Sequence, residues 1–442
     1  MDGSSRKGYP RAPTSVEHVA YDVLYAGLLT AMAPSFLYKI ARGKYRAGWK
    51  HKLGFVPERV PGRRIWIHAV SVGEAVAADI LAGGIRAELP GHEIVVSTTT
   101  PTGQSVARAR FGEDKVFYFP LDLSGPVARA FARTRPELLV LMELEVWPNL
   151  VAAAAHRDVP VVVANGRISD RAFARYRRVA RILRPSFRRL AAVGAQNEDN
   201  AGKFIALGTP RERVVVTGTL KYDGVATEPD DASRSWARRE LRLADGEHLL
   251  LGGSTHRTEE LALARAWRRS GTGETWRLAI APRHPERVPE VESELAADGF
   301  TTARRSRLAE AEAAPGAVAL VDTVGELGRL YHAADLVFVG GSLIPHGGQN
   351  PIEPAGLGKA VVFGPHMFNF DDSVRDLLEA DGARRVGSAE ALVGVITELA
   401  RDSRARGILG ANARAVVLSR KGAAARTVRI VRNVLAGGSP TA

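Results

Sequence analysis

The sequence predicts an α/β protein built from two parallel sheets. From about residue 64 onward, short apolar segments rich in β-branched residues alternate with helical segments, in two successive series. Continuous apolar strands joined by crossover helices are typical of parallel sheets that are covered on both faces. The polar, turn-rich segment Lys221–Ser235 separates the two series and is interpreted as a hinge. A chain of 442 residues is long enough for two domains of ordinary size.

Each series predicts a set of strands. The first set is Ile65–Val70, Glu93–Thr98, Leu138–Met142, Val159–Ala164, Ala192–Ala195 and Val214–Thr217. Because open parallel sheets bind ligands at the carboxyl ends of their strands, we expect a site in the cleft between the two domains. The second set is His248–Gly253, Trp276–Ala281, Val318–Val321, Leu336–Gly340 and Ala360–Phe363, followed by helices over about Ala389–Leu435.

Composition narrows the class of partner. The chain has 61 Lys and Arg against 48 Asp and Glu, a net charge of +13, which indicates an anionic partner. Nucleic acid, membrane phospholipid and a phosphorylated substrate all fit that charge. There is no cysteine, which excludes disulfides, thiolate metal sites and cysteine nucleophiles.

The N-terminal region predicts a membrane attachment. Residues 1–14 are polar and are interpreted as a flexible tail. Tyr21–Ile40 is the one apolar run of membrane length, and several lysines and arginines follow it directly. We therefore expect residues 15–50 to form a membrane-associating helix with a basic flank, although a buried core helix fits the same pattern. Asp22 and Pro34 argue against a clean span, so spanning and interfacial attachment both stay open.

The segment Val339–Phe370 predicts a nucleotide site. A strand runs into a glycine-rich loop, and the loop runs into Asn350-Pro351-Ile352-Glu353, which is typical of a helix start with Asn as N-cap and Pro at the first position. Backbone N–H groups and the positive end of a helix converge at such a point and favour an anion. Glu353 would suit ribose hydroxyls. The alternative is an ordinary strand–loop–helix turn.

Three carboxylates follow strands of the first series. Glu74 opens the helix after the first strand, where it could remove a proton from an attacking hydroxyl, although a glutamate in the first turn often serves only the helix dipole. Glu143 and Glu145 follow the strand Leu138–Met142. Residues at i and i+2 do not share a face, so we expect Glu143, nearer the strand, to be functional and Glu145 to cap a helix or face solvent.

Basic and backbone groups complete the candidate set. Lys221 ends the first series and could reach a phosphate or carboxylate, or be simply solvated. Arg283 lies between prolines at a strand end and suits fork-like phosphate binding, whereas His284 fits a structural role equally well. Gly325 and Glu326 offer backbone N–H groups after another strand. The sequence has no Asp-x-Asp pair at a strand end, no His-Glu-x-x-His and no P-loop lysine motif, so we predict no metal site.

Eight motifs in one order carry a family resemblance. The chain is similar to 3-deoxy-D-manno-octulosonic acid (Kdo) transferases of lipopolysaccharide assembly from about Tyr21 onward. The resemblance implies a GT-B fold, in which two Rossmann-like domains face each other across a cleft. It also implies inverting transfer of Kdo from CMP-Kdo to a lipid A precursor, without a metal or cofactor. The motifs are SVGE at 71–74, TPTG at 100–103, ELEVWPN at 143–149, GTLKYD at 218–223, PRHPER at 282–287, VGEL at 324–327, GGxNPxE ending at Glu353, and GPHMFNF at 364–370.

The resemblance also assigns residues. Glu74 would be the general base, and Glu143 and Lys221 would stabilise the transition state. The residues that hold CMP would be Pro282, Arg283, Val324, Gly325, Glu326, Asn350, Pro351, Ile352 and Glu353. The enzyme would lie on the cytoplasmic face of the inner membrane, and its arginine-dense helix Arg171–Arg189 would face anionic lipid or acceptor phosphates unless it is a solvated face. Nucleic acid is not expected as a partner.

The expected domains follow from these assignments. They are the tail 1–14, the membrane-associating region 15–50, an acceptor domain 51–225, a linker 226–245 and a nucleotide domain 246–442. The chain departs from the family pattern in its longer tail and at Thr258, where glycine is expected. Alternatives are another GT-B nucleotide-sugar transferase or epimerase, and a non-catalytic basic membrane-binding protein on the same scaffold.

Overall fold

The computed structural model describes residues 21–23, 25–27, 30–31, 48–308 and 316–440. The described chain forms two compact α/β units. The first contains the described residues up to Gly224 together with those from Lys421 onward, and the second contains those from Val225 to Arg420. The predicted fold class of two parallel-sheet α/β domains is confirmed.

The first unit is a seven-stranded parallel sheet with helices on both faces. Its strands are β1 (Arg64–His68), β2 (Glu93–Thr98), β3 (Val116–Tyr118), β4 (Leu138–Met142), β5 (Val161–Gly166), β6 (Ala192–Ala195) and β7 (Val214–Val216). Its helices are α1 (Trp49–Lys52), α2 (Val72–Glu88), α3 (Pro101–Phe111), α4 (Ser124–Thr134), α5 (Pro148–His156), α6 (Asp170–Arg178), α7 (Ala180–Arg189) and α8 (Glu198–Leu207).

The strand order of the first sheet places a switch point at its centre. The order is β3-β2-β1-β4-β5-β6-β7, so the chain builds outward from β1 and then crosses back to start again at β4. The loops after β1 and β4 therefore diverge to opposite faces and leave a crevice at their carboxyl ends. These loops begin at residues 69 and 143.

Burial on both faces explains why the strands read as continuous apolar runs. Ile65 and Ile67 of β1 point to one core, which they share with Val428. Trp66, between them, points to the other core with Leu139. All residues of β1 and β4 are buried, so neither face requires polar side chains.

The second unit repeats this plan. Its strands are β8 (His248–Thr255), β9 (Trp276–Pro282), β10 (Thr302–Arg304), β11 (Val318–Leu320), β12 (Leu336–Val339), β13 (Ala360–Phe363) and β14 (Ala383–Arg385). Its helices are α9 (Asp231–Glu240), α10 (Glu259–Ser270), α11 (Val288–Ala297), α12 (Leu327–Leu330), α13 (Ile352–Gly356), α14 (Asp371–Glu379), α15 (Ala389–Arg401) and α16 (Ser403–Arg420). The order β10-β11-β9-β8-β12-β13-β14 puts its switch point between β8 and β12.

The last helix corrects the predicted domain boundaries. Helix α17 (Ala423–Leu435) packs in the core of the first sheet, where Val428 and Val431 lie with Ile65. Asp223 fixes its start, because the Asp223 carboxylate accepts hydrogen bonds from the N–H groups of Gly422 (2.7 Å) and Ala424 (3.1 Å). The predicted nucleotide domain 246–442 therefore wrongly includes the last helix, which belongs to the first unit.

Two further expectations need correction. The predicted linker 226–245 contains helix α9, which belongs to the second unit. The arginine-dense segment Arg171–Arg189 is two helices, because Val179 leaves the helical conformation at φ −112° and ψ 20°. Strands β3, β10 and β14, each at a sheet edge, were not predicted; β10 (TAR) and β14 (ARR) contain no apolar run.

Most of the N-terminal expectations fall outside the described residues. The predicted tail 1–14 and most of the region 15–50 are among the residues that the structure does not describe. The Asp22 carboxylate accepts hydrogen bonds from the backbone N–H of Ser124 (3.1 Å) and from the Asn149 side-chain amide (2.6 Å). Among the described residues, no helix combines the length and apolar character needed to cross a membrane.

Candidate active site

Glu74 lies in the first turn of α2, directly after β1. Ser71 is the N-cap of this helix, and its hydroxyl accepts a hydrogen bond from the Glu74 N–H (3.3 Å) and donates one to Glu74 Oε1 (2.9 Å). Glu74 Oε2 accepts from the Val70 N–H (2.9 Å). The side chain thus forms a capping-box-like arrangement that also fixes its carboxylate at the strand edge. The cap and the proton-acceptor assignment are compatible.

Its surroundings favour the protonated form of Glu74. The residue is only 8% exposed, and burial raises the pKa of its carboxyl above the usual value. The Val70 N–H opposes that shift, while the charge of Glu143 adds to it. A carboxylate with a raised pKa is a stronger base, as general-base catalysis near neutral pH requires.

The TPTG motif at residues 100–103 stabilises the loop between β1 and α2. Thr100 caps α3 by accepting a hydrogen bond from the Gly103 N–H (3.1 Å), and its hydroxyl donates to the Val70 carbonyl (3.2 Å). A Cβ on Gly103 would lie 3.0 Å from that same carbonyl oxygen. The motif therefore serves close packing beside Glu74, which explains its glycine.

Glu143 begins the loop after β4 in a strained backbone conformation. Its φ is +54°, which non-glycine residues rarely adopt and which concentrates at functional sites. Its N–H donates to the Ala164 carbonyl (2.9 Å) and holds the residue at the strand end. Burial raises the pKa of Glu143, while the charges of Arg167 and Lys221 lower it. Arg167 is therefore a site residue that the sequence analysis missed.

The expectation that Glu145 caps a helix or faces solvent is wrong. Its side chain is 22% exposed, and Oε2 accepts a hydrogen bond from Trp147 Nε1 (2.8 Å). The same oxygen lies 3.9 Å from Nε2 of His68. Burial and then the charge of Glu74 raise the pKa of Glu145 to about 7. The two glutamates of the loop therefore both interact electrostatically with Glu74.

His68 is the buried partner of Glu145. Its Nδ1 lies 3.2 Å from the Ser97 carbonyl, which can only accept, so Nδ1 carries the proton. Its ring stacks on Phe119 at 4.0 Å, and burial lowers its pKa to about 3. Nε2 is thus a neutral acceptor aimed toward Glu145, and a protonated Glu145 is the form that suits it.

Lys221 lies in the loop after β7. It is exposed, and the position of the loop is fixed where the Leu220 N–H donates to Asn165 Oδ1 (3.1 Å). Its charge acts on Glu143. The first unit therefore brings Glu74, Glu143 and Lys221 to the carboxyl ends of one sheet, as predicted, and adds Glu145 and Arg167.

The glycine-rich loop of the second unit contradicts one expectation. Its backbone N–H groups were expected to bind a ligand anion, but those of Gly341 (2.6 Å), Ser342 and Leu343 (both 2.9 Å) donate to the buried carboxylate of Glu259. The His256 N–H donates to the same carboxylate (2.9 Å). The anion that these backbone N–H groups bind is the carboxylate of Glu259, a residue of the same chain.

The GPHMFNF motif holds this loop from the far side. The Ser342 hydroxyl accepts from the Gly364 N–H (2.8 Å), and Asn369 donates to the His346 carbonyl (3.2 Å). A Cβ on Gly364 would lie 2.3 Å from the Ser342 carbonyl oxygen, so only glycine fits. The motif is therefore structural support for the loop.

The segment Asn350–Glu353 starts a short helix one residue later than predicted. Pro351 occupies the N-cap position of α13, and Asn350 Oδ1 accepts from the Ile352 N–H (3.0 Å). The Asn350 amide donates to Glu353 Oε1 (3.0 Å). Glu353 is exposed, and its second oxygen is available for a hydroxyl group.

Arg283 follows β9, whose last residue is the buried Pro282. Its N–H donates to the Thr255 carbonyl (2.9 Å), which fixes its backbone beside the end of β8. The guanidinium is exposed and makes no hydrogen bond or ion pair within the described part of the chain. It is therefore a donor available to an anion.

The turn after β11 keeps its backbone donors available. Gly325 has φ +84°, and Val324 before it is 85% exposed. The Glu326 carboxylate accepts from Arg305 (2.9 Å) and from the Thr323 hydroxyl. No hydrogen bond among the described residues uses the N–H of Gly325 or Glu326. The turn therefore presents two backbone donors, as predicted.

The described residues contain no group of three or more His, Asp or Glu side chains that could hold a metal ion.

Comparisons with known proteins decide the family. A family model described as "3-Deoxy-D-manno-octulosonic-acid transferase (kdotransferase)" matches residues 47–224. The 3-deoxy-D-manno-octulosonic acid transferase of Haemophilus influenzae is 33% identical, covering 93% of this chain and 95% of its own length. That of Bordetella pertussis is 32% identical, covering 92% and 97%. The chain belongs to this family. It is a glycosyltransferase.

Solved structures agree with the fold. A glycosyltransferase from Rickettsia africae has a TM-score of 0.55 and 14% identity over 85% of this chain and 99% of its own. Anabaena HepE in complex with UDP has a TM-score of 0.54 and 15% identity over 85% of this chain and 100% of its own. At these identities the likeness shows the fold alone, which is of the GT-B class.

Proposed function

We propose that this Kdo transferase moves Kdo from CMP-Kdo onto a lipid A precursor in lipopolysaccharide biosynthesis, with inversion and with Glu74 as general base. The observation that carries the proposal is the carboxylate group at the first switch point. Glu74 after β1 and Glu143 after β4 flank the crevice where open parallel sheets bind their ligands. Family membership supplies the donor and the acceptor class.

The chemistry needs one proton acceptor and one stabilised leaving group. Glu74 removes the proton of the acceptor hydroxyl while its oxygen bonds to the anomeric carbon of Kdo. The bond from that carbon to the CMP phosphate oxygen breaks, and the electron pair leaves with CMP. Glu143 and Lys221 stabilise the charge that develops in the transition state. In the free enzyme the charge of Lys221 lowers the pKa of Glu143.

The second unit holds the nucleotide in this proposal. Arg283 provides a guanidinium that has no ion-pair partner among the described residues, and Gly325 and Glu326 provide backbone N–H groups. Asn350 positions Glu353 for the ribose hydroxyls. Pro282, Val324, Pro351 and Ile352 shape the surrounding surface. CMP-Kdo is a donor substrate, and we propose no further cofactor, because a leaving group with one phosphate needs less charge neutralisation than a pyrophosphate.

A basic and apolar surface on α6 and α7 supports contact with anionic lipid. These helices hold many arginines, and Val179 (44%) and Ile182 (49%) are exposed among them. Apolar side chains surrounded by arginines suit a membrane surface with anionic lipid. We propose that this surface and the N-terminal region hold the enzyme at the cytoplasmic face of the inner membrane. Nucleic acid is not a proposed partner.

The test is a transfer assay read by mass spectrometry. Full-length protein would be mixed with a lipid A precursor and CMP-Kdo generated in situ, with UDP-sugars in parallel reactions. We expect the acceptor to gain the mass of one or more Kdo units with CMP-Kdo and none with UDP-sugars. A protein that binds CMP but gives no product would refute the acceptor. Transfer from a UDP-sugar would refute the donor.

A further inference from the structure

Three histidines meet at the carboxyl ends of the second sheet. His256 follows β8, His284 follows β9, and His346 lies in the loop after β12. The rings of His256 and His346 are 4.1 Å apart, and those of His256 and His284 are 6.2 Å apart. They flank the switch point between β8 and β12, where a ligand is expected.

The charged groups that act on His256 itself are cationic, namely His346, His284, Arg287 and Arg283. Arg287 is balanced by Glu260 (3.0 Å) and Glu290 (3.3 Å), so it contributes little net charge. Glu286 lies 3.4 Å from Nδ1 of His284. Arg283 has no such counter-ion within the described residues, and the Glu259 carboxylate is consumed by backbone N–H groups.

An anion beside the glycine-rich loop needs side-chain donors, because several backbone N–H groups of the loop are already occupied. The N–H groups of Gly341, Ser342 and Leu343 are occupied by Glu259. Other N–H groups of the same loop are occupied by carbonyls, including those of Gly348 and Gln349 (2.8 and 3.0 Å). The imidazole and guanidinium groups beside the loop are side-chain donors that an anion can use.

We propose that His256 and His346, beside Arg283, bind the phosphate of the nucleotide and take up a proton as it binds. This inference rests on the proposed function, because it names the phosphate subsite of the proposed donor. It assigns the phosphate to the histidines and the guanidinium together, and it leaves a structural part to the backbone N–H groups of Gly341, Ser342 and Leu343.

The state of His256 in the free protein explains the proton uptake. The Gln349 amide nitrogen lies 3.3 Å from Nε2 of His256, and because an amide nitrogen only donates, Nε2 accepts and Nδ1 carries the hydrogen. Burial, then His346, His284 and the two arginines lower the pKa of His256 to about 4. The imidazole is therefore neutral near pH 7. A bound phosphate reverses the local field and raises that pKa, so binding draws a proton from solution.

The sign of the pH dependence follows. Because the bound state holds more protons than the free state, CMP affinity rises as pH falls from about 8.5 to 6.5. Below about pH 6 the phosphate itself becomes protonated, which limits the rise. Cytidine, which has no phosphate, should show neither the proton uptake nor the rise.

The experiment is calorimetry of the full-length protein with CMP at pH 6.5, 7.5 and 8.5, in buffers of different ionisation enthalpy. We expect the wild type to take up protons on binding. His256→Gln and His346→Gln should weaken CMP by about tenfold at pH 6.5, flatten the pH dependence and reduce the proton uptake. His248→Gln, at the opposite end of β8, is the matched control and should behave as the wild type.

The outcomes separate this inference from the proposed function. If both variants bind CMP with wild-type affinity and wild-type proton uptake, the histidines are not the phosphate subsite, although the donor assignment stands. If the variants are weakened equally for cytidine and CMP, their effect is on the shape of the nucleoside pocket and the inference is refuted. If the wild type binds no CMP, the proposed donor itself fails.

Discussion

The carboxyl edges of the two sheets have equivalent switch points and opposite chemistry. Each sheet starts at a central strand and the chain later returns to the other side of that strand, so that β1 and β4 in the first unit correspond to β8 and β12 in the second. The crevice at each switch point is therefore equivalent. The difference lies only in the side chains that the loops carry.

The side chains give the two edges different capacities. The first edge carries Glu74, Glu143 and Glu145; burial raises the pKa of all three, and neighbouring carboxylates add to the shift for Glu74 and Glu145. The second edge carries His256 and His346 beside arginines, and burial and like charge lower the pKa of His256. The raised pKa values of the first edge suit general-base chemistry, whereas the cationic groups around His256 suit an anion. The fold fixes where ligands bind, and the residues decide what the ligands are.

The largest expected effect comes from removing the base of the first edge. Glu74→Gln keeps the size of the side chain and one acceptor oxygen for the Val70 N–H but cannot accept the proton. We expect transfer to fall by about 10²–10⁴-fold, because general-base catalysis contributes that much. CMP affinity should stay unchanged, since the base acts in the transition state. Mass-spectrometric turnover and calorimetry measure the two quantities.

The matched control for Glu74→Gln lies at the other end of the same helix. Glu88→Gln removes a carboxylate that pairs with Arg432 on the surface (3.1 Å) and should keep wild-type turnover. Wild-type turnover in Glu74→Gln would show that this residue is only a helix cap. The first edge would then have no general base at Glu74, and the proposed difference in chemistry between the two edges would fail.

Breaking the internal anion of the second edge should affect stability more than chemistry. Glu259→Ala would leave four backbone N–H groups without an acceptor in a buried place. We expect the free energy of unfolding to fall by about 3–5 kcal/mol, or the second unit to fail to fold. Thermal unfolding followed by circular dichroism measures this, with the exposed Glu274→Ala as the control. A change below about 1 kcal/mol would contradict the structural assignment of Glu259.

Arg283→Ala tests the available cation of the second edge. A lost charge-assisted hydrogen bond should weaken CMP by about 1.5–3 kcal/mol, which is roughly a tenfold to hundredfold loss of affinity. Calorimetry with CMP measures the loss. Arg268→Ala, which removes an ion pair with Asp298 (2.8 Å) away from the strand edge, is the control. Equal affinity in both variants would exclude Arg283 from the site.

Much of the architecture could be predicted from the sequence, since it follows from composition along the chain. Central strands such as Leu138–Met142 are uninterrupted apolar runs and were found with their exact bounds. The placement of Glu74 after β1 followed from strand, turn and helix spacing. The three residues of β10 (TAR) and of β14 (ARR) form no apolar run, unlike the three valines of β7, which were predicted. The unpredicted strands β3, β10 and β14 each pair with one neighbour at a sheet edge.

The chemistry of the edges was less predictable because it depends on partners distant in sequence. Glu259 resembles any glutamate in a first helical turn, and only the fold brings it to the N–H groups of residues 341–343. Glu145 resembles a solvated residue until His68, from β1, lies beside it. Histidines 256 and 346 are 90 positions apart in the numbering and meet only because β8 and β12 pair. Local sequence patterns therefore cannot predict such contacts.

Glu145→Gln tests whether the carboxylates of the first edge act on one another. The charge of Glu74 raises the pKa of Glu145, which is about 7, so Glu145 is still protonated when Glu74 titrates. Glu145→Gln should therefore remove a titration step near pH 7 from the kcat/KM profile and leave the acid limb, set by Glu74, in place. A step near pH 7 that persists in the variant would show that Glu145 is not the group that titrates there. Glu113→Gln, exposed and remote, is the control.

The same variant has a signature in stability. The folded-state pKa of Glu145 is about 7 and its usual value is 4.5, so the folded state holds a proton that the unfolded chain has lost. This group therefore makes stability fall as pH rises from about 4.5 to 7, and it adds no further change above that range. Glu145→Gln should make the melting temperature less dependent on pH in that window. An equally steep fall in the variant would assign it to other groups, such as the buried Asp122, whose pKa is also about 7.

The smallest expected effect is a gain in stability at Thr258, next to Glu259. Thr258 has φ +77°, a conformation that a β-branched residue adopts only at a cost of about 1–2 kcal/mol or more. Thr258→Gly removes that strain but makes the unfolded chain more flexible, which costs about 0.4–1 kcal/mol. The net expectation is a gain of about 0.5–1 kcal/mol in the free energy of unfolding, measured by chemical denaturation, with Thr258→Ala giving less because it retains a Cβ. A loss of stability in Thr258→Gly would mean that the strained turn is held by contacts of the threonine itself, and the second edge would then depend on more than the Glu259 carboxylate.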